Sequence, residues 1–116
     1  MKVGLKKLRK VKILENNSPL CNKRFTKDEE IVICNKAINS YGNASQKIKA
    51  IEEMGELIQA ISKSLLDNEN NVEEEIADVE IMLTQLKIMF DLKEIENQRE
   101  FKLKRLERTV KDERLP

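Results

Sequence analysis

Two stretches of the chain carry acids and apolar residues together at helical spacing, and they limit the possible folds most. The first begins at residue 51 and the second at residue 73. Their apolar side chains recur every three or four positions, which places them on one face of an α-helix. Glycine and proline number only three and two in 116 residues, so the prediction of helix extends to most of the chain. The two apolar stripes comprise Met54, Leu57, Ile58, Ile61 and Leu65, and Ile76, Val79, Met82, Leu83 and Leu86.

Each stretch also carries a pair of acids three residues apart. Glu53 and Glu56 form the first pair, and Glu75 and Asp78 form the second. Residues three apart are neighbours on a helix, so each pair concentrates negative charge beside an apolar stripe. Four carboxylates brought together make a hard-oxygen site suited to Mg²⁺ or Mn²⁺. The alternative interpretation is that these acids belong to a solvated helix face.

Turn and capping residues divide residues 26–116 into four predicted helices. Thr26 followed by Asp28 and Glu29 indicates an N-cap with acids in the first turn of the first helix, and Asn43 with Gln46 resembles a capping box for the second. Asn71, or Asn70, is expected to cap the third. We predict helices over about 27–40, 44–66, 72–90 and 93–112. Short connections imply antiparallel neighbours, so the expected fold is an all-α domain with a four-helix-bundle core.

Antiparallel pairing of the second and third helices brings the acid pairs together only if the connecting turn is suitably placed. With the turn near residue 68, the pairs are staggered by roughly 7 Å along the helix axis. An earlier end to the second helix, around Ser62–Ser64, would reduce that stagger.

Residues 1–25 form a predicted basic arm in front of the helical domain. The arm holds eight basic residues and one acid, although the whole chain has a net charge of only +1. The remainder is therefore acidic. The arm is interpreted either as flexible or loosely docked, or as a segment that binds phosphate or nucleic acid. We do not expect nucleic acid to be the main partner.

The composition excludes several kinds of chemistry. The chain has no histidine, which excludes histidine acid–base catalysis, Ser-His-Asp and Cys-His triads, and histidine-ligated metals. Cys21 and Cys34 are too few for a zinc site or a disulfide framework and are interpreted as reduced thiols, with Cys34 in the core. No apolar run approaches the roughly 18–20 residues that span a bilayer, and no signal-peptide core follows the N-terminus. We expect a cytoplasmic protein without membrane contact.

The two acid motifs resemble those of a known family over about residues 27–110. The EExxE…ExxD signature of the MazG-like, all-α nucleoside triphosphate pyrophosphohydrolases is matched by Glu52-Glu53-Met54-Gly55-Glu56-Leu57 and by Glu75-Ile76-Ala77-Asp78-Val79. The resemblance implies Mg²⁺-dependent cleavage of a (d)NTP between the α- and β-phosphates to a (d)NMP and pyrophosphate, as nucleotide-pool house-cleaning. It also implies a homodimer or homotetramer.

The resemblance further implies roles for individual residues. Glu52 and Glu53 are the predicted catalytic acids, and Glu52 would orient the attacking water or hold a second metal. The predicted metal ligands are Glu53, Glu56, Glu75 and Asp78. The candidates for substrate binding are Lys102, Arg105 and, less directly, Lys104 for the phosphates, and Gln46 and Asn97 for the base.

Two rival interpretations stay open. The chain could be a non-enzymatic helical-bundle module for binding or oligomerisation, whose acids form a solvated or structural-metal face. It could also be a nucleic-acid-associated accessory protein that uses the basic arm. Metal-dependent hydrolysis would separate the enzyme from both, and salt-sensitive nucleic-acid binding would identify the last.

Overall fold

A computed structural model of the protein describes residues 23–66 and 69–114, with side chains as far as residue 112. These residues form four helices and no strand: α1 (Lys27–Tyr41), α2 (Asn43–Ser64), α3 (Val72–Met89) and α4 (Leu92–Arg114). The prediction of an all-α fold is confirmed. Most of the predicted basic arm, including Cys21, lies outside the described residues. None of the described helices combines the length and the apolarity that crossing a bilayer requires.

The chain divides after Glu30 into two units, and the described part of the first contains the start of α1. The predicted cap is confirmed: the Glu29 amide donates to Thr26 Oγ1 at 3.1 Å, and the Thr26 amide donates to Glu29 Oε1 at 2.9 Å. Lys23 Nζ lies 3.1 Å from Glu29 Oε2. The Thr26 backbone N–H, followed by the Lys23 ammonium, holds the pKa of Glu29 below its ordinary value. The ionised Glu29 carboxylate stabilises the N-terminus of α1, because negative charge there interacts favourably with the helix dipole.

The capping box predicted at the start of α2 is wrong. Asn43 is the first helical residue, and Gly42 occupies the N-cap position at φ 92° without a side-chain cap. Glycine suits this position because it adopts positive φ without steric cost. The Gly42 amide also donates to the Ile38 carbonyl at 2.8 Å and so closes α1. Gln46 turns inward instead of capping, and its Nε2 donates to Gln85 Oε1 at 2.7 Å.

Helices α2 and α3 form an antiparallel hairpin, which is the main packing contact in the described part of the second unit. The direction follows from the Gln46–Gln85 bond, which joins the start of α2 to the end of α3. Helix α2 ends at Ser64, the earlier end that reduces the stagger between the acid pairs. The α2–α3 seam consists of the buried residues Gln46, Ala50, Glu53 and Ala60, and Glu75, Val79, Met82 and Gln85.

The apolar stripe predicted on α2 does not lie in this seam. Met54 and Leu57 are half-buried, whereas Ile58 and Leu65 are 66% and 80% exposed. Small and polar residues replace the expected aliphatic core because α2 turns Ala50, Glu53 and Ala60 toward α3. Cys34 is a buried free thiol, as predicted.

Helix α4 contacts α3 only over a short stretch and leaves its own apolar side chains at the surface. The single chain therefore has uncovered apolar area on several helices. Its exposed large apolar residues on α4 are Leu92, Phe101, Leu103, Leu106 and Val110.

The Gln46–Gln85 bond provides a test of the seam. Replacing Gln85 with leucine leaves the buried Gln46 amide without this acceptor, which is expected to lower the free energy of unfolding by about 1–3 kcal/mol. Leucine at both positions removes both polar groups and is expected to recover most of that loss. Urea unfolding followed by circular dichroism measures both effects. Gln59→Leu, at an exposed position on α2, is the control. A double variant no more stable than Gln85→Leu would contradict this account.

Candidate metal centre

The five acids of the two motifs lie together on the hairpin. Carboxylate oxygens of Glu52, Glu53 and Glu56 lie within 4.8 Å of one another, and so do those of Glu53, Glu75 and Asp78. Glu53 belongs to both groups and so joins the acids of α2 to those of α3. We call these five residues the acid cluster.

The acid cluster has a buried side and a more open side. Glu53 and Glu75 are only 3% and 2% exposed because both belong to the α2–α3 seam. Glu52, Glu56 and Asp78 are half-buried at its edge. A buried carboxylate is costly unless hydrogen bonds or cations compensate its charge. The cluster therefore favours a positive partner on its open side.

Lys49 supplies one such positive group. Its Nζ lies 3.7 Å from Glu53 Oε1 and 3.8 Å from Glu52 Oε1. The acid motifs do not include Lys49, although it stands three and four residues before the two acids, the spacing of neighbours on a helix.

Asn71 is a second group in contact with the acids that the motif spacing does not predict. It occupies the predicted N-cap position of α3, but its side chain does not cap the helix. The amide Nδ2 instead donates to Glu75 Oε1 at 2.9 Å. The Val72 amide donates to Asn70 Oδ1 at 3.3 Å, so the neighbouring asparagine supplies the local bond. Asn71 thereby orients the most deeply buried acid of the cluster.

The predicted substrate-binding residues lie elsewhere. Four of them are exposed on α4, and no described contact joins them to the acid cluster: Asn97, Lys102, Lys104 and Arg105. Gln46 is buried in the seam and bonded to Gln85. The Gln46 Nε2 is therefore already engaged in a bond across the seam.

The donor set fits a hard divalent cation. All five donors are carboxylates, the ligands that Mg²⁺ and Mn²⁺ prefer over thiolate or imidazole. Contributions from two helices leave the open side available for water and phosphate oxygens, which Mg²⁺ usually retains in its coordination sphere. The ammonium group of Lys49 beside Glu52 and Glu53 is consistent with a cluster that attracts cations.

Comparison with known proteins does not assign this site to a family. No protein-family model matches the chain, and neither does any curated protein or solved structure. The resemblance to the MazG-like family therefore rests on the motif residues alone, and the activity that it implies stays a prediction.

Divalent-ion binding by the acid cluster is testable through stability. An ion that binds only the folded chain stabilises it by about 2.7 kcal/mol at a concentration of about 100 Kd. Glu53→Gln removes the carboxylate shared by both groups, so we expect Mg²⁺ to raise the Tm of the wild type but not of this variant. Differential scanning calorimetry measures the shift. Glu80→Gln, at an exposed acid of α3, makes the same change away from the cluster and should keep the shift. An equal rise in Glu53→Gln would contradict the assignment.

Proposed function

We propose that the protein is a Mg²⁺-dependent nucleoside triphosphate pyrophosphohydrolase that cleaves a (d)NTP between its α- and β-phosphates to a (d)NMP and pyrophosphate. The observation that carries the proposal is the acid cluster, in which Glu53 lies within 4.8 Å of acids on both helices of the hairpin. The order and spacing of those acids are the ones that resemble the MazG-like signature. The reaction needs no histidine, and the chain has none.

In this proposal the cluster holds the metal and leaves room for the substrate. The residues that would hold Mg²⁺, or Mn²⁺, are Glu53, Glu56, Glu75 and Asp78. Bound there, the ion would clamp the triphosphate and stabilise the charge that develops on the leaving pyrophosphate. Asn71 would keep Glu75 in its ligating orientation through the 2.9 Å hydrogen bond, as partners of metal ligands generally do.

The remaining roles fall to Glu52 of the cluster and to basic residues of α4. Glu52 is half-buried at the edge, where its carboxylate would accept a hydrogen bond from the attacking water and hold that water in line with the scissile phosphoanhydride. Lys102, Lys104 and Arg105 on α4 would neutralise the phosphate tail. This role requires that α4 lie next to an acid cluster in the assembled protein.

We further propose that a second copy of the chain completes the four-helix-bundle core, as a homodimer or homotetramer. The uncovered apolar side chains support this. Phe101 and Leu106 on α4 are 57% and 56% exposed, and α2 adds Ile58 and Ile61. Burying one such side chain contributes about 1.5–3 kcal/mol. Closed symmetric assemblies are the usual way for identical chains to bury such surface.

The oligomer is tested at α4. Leu103, Leu106 and Val110 line a groove of about 400 Å³ together with Glu107 and Lys111, so Leu106→Glu introduces a charge among its apolar side chains. We expect the variant to dissociate at concentrations where the wild type stays assembled, because the buried charge would be uncompensated. Sedimentation velocity measures the assembly. Thr109→Glu adds the same charge at an exposed position of the same helix and is the control. A monomeric wild type would overturn the proposed assembly.

The activity is tested by pyrophosphate release from standard and modified (d)NTPs, with and without Mg²⁺ or Mn²⁺. We expect metal-dependent release from one or a few of them. Glu53→Gln and Asp78→Asn should each lower the rate at least about 100-fold, since even outer-shell partners of a metal contribute about 10–100-fold. Glu80→Gln should retain the activity. Hydrolysis retained in both cluster variants would refute the site assignment.

A non-enzymatic interaction module is the second candidate, and the uncovered apolar surface of α2 and α4 favours it. Silence of the folded wild type across the nucleotide panel would select this candidate. The nucleic-acid-associated alternative depends on the basic arm, of which only residues 23–25 are described.

A further inference from the structure

Lys49 is placed where a divalent ion would have to compete with it. Its ammonium lies 3.7 Å from an oxygen of Glu53 and 3.8 Å from an oxygen of Glu52, two residues of the acid cluster. The Glu53 side chain is buried, whereas that of Lys49 is 50% exposed. The ammonium group therefore approaches the buried carboxylate from the solvent side, which is also the side by which an ion would enter.

Lys49 also lines an open pocket that contains none of the five acids. The pocket has a volume of about 550 Å³. A lysine has a flexible four-carbon stem, so its ammonium can leave the carboxylates without a change in the backbone. The pocket is lined by Ser40, Tyr41, Ser45, Gln46 and Lys49.

We propose that Lys49 is a displaceable internal counter-ion of the acid cluster. It neutralises Glu52 and Glu53 while no divalent ion is bound, and it turns toward the pocket when one binds. The inference rests on the proposed metal centre. A divalent cation and an ammonium repel each other at this distance and compete for the same carboxylate oxygens, so Lys49 stabilises the metal-free fold and weakens metal affinity.

In the displaced position Lys49 gains a role toward the substrate. The ammonium would lie at the border between the acid cluster and the pocket, on the same helix as Glu53. There its ammonium would lie next to the triphosphate. The basic residues of α4 make no described contact with the acid cluster, so they do not supply this charge. Lys49 would thus neutralise the carboxylates in the metal-free protein and contact the phosphates when metal and substrate are bound.

The test uses the full-length protein and Mn²⁺, with binding followed by the loss of the free Mn²⁺ electron paramagnetic resonance signal. We expect Lys49→Met to bind Mn²⁺ roughly tenfold more tightly than the wild type, because a partly screened positive charge beside the ligands is removed. Without metal, the Tm of Lys49→Met should be lower than that of the wild type. In saturating Mn²⁺ the two Tm values should become equal.

Two further variants keep the test decisive. Lys47→Met removes a positive charge from the same helix, where Lys47 Nζ lies 4.8 Å from the centre of the Phe90 ring, and should leave the affinity within about twofold. Lys49→Arg keeps the charge and holds carboxylates more firmly, so it should bind Mn²⁺ no more tightly than the wild type.

Each other outcome rejects the inference. If the wild type binds Mn²⁺ and Lys49→Met binds it equally or more weakly, the counter-ion role is wrong while the metal centre stands. The same holds if Lys47→Met and Lys49→Met tighten binding alike. If the wild type binds no Mn²⁺, the metal centre itself fails, and the inference fails with it.

Discussion

Glu53 and Glu75 lie inside the α2–α3 seam, where their carboxylates approach each other within 4.8 Å. Burial of like charges in a helix–helix contact opposes folding unless the surroundings supply hydrogen bonds and cations. The hairpin supplies them from its own residues, with Asn71 bonded to Glu75 and Lys49 beside Glu53. The α2–α3 seam therefore contains both the main packing contact between the two helices and the buried acids of the cluster.

This polar seam limits how much apolar surface the hairpin can bury within one chain. Alanines at positions 50 and 60 let the helices approach closely, but they contribute little hydrophobic burial. The large aliphatic residues of α2 face outward, and those of α4 remain uncovered beside its short contact with α3. The proposed second copy of the chain would cover these outward apolar faces.

The electrostatics of the site follow from the same arrangement. Five acids concentrate negative charge that could bind a divalent ion. The buried pair, Glu53 and Glu75, is held in place by the packing of α2 against α3. Sites that concentrate like charge generally reduce stability in exchange for function. Lys49 partly neutralises this charge at the edge of the cluster, where its ammonium lies 3.7 Å from Glu53 and 3.8 Å from Glu52.

The sequence by itself determined the local features: the helix positions to within about two residues, the N-cap at Thr26 and the two acid pairs, because helical spacing and capping depend on neighbours along the chain. The grouping of the two acid pairs was also expected, provided that the turn between antiparallel helices is suitably placed, whereas Glu52 was expected there only through the motif resemblance. The roles that the motif resemblance suggests for the acids and for α4 stay predictions. Only the tertiary structure decided that Gln46 is buried against Gln85 rather than capping α2. It also decided that the aliphatic stripe of α2 lies outside the α2–α3 seam and that the Asn71 amide donates a hydrogen bond to Glu75. Those outcomes depend on which face of α2 meets α3, a choice made by contacts between distant residues that no local spacing contains.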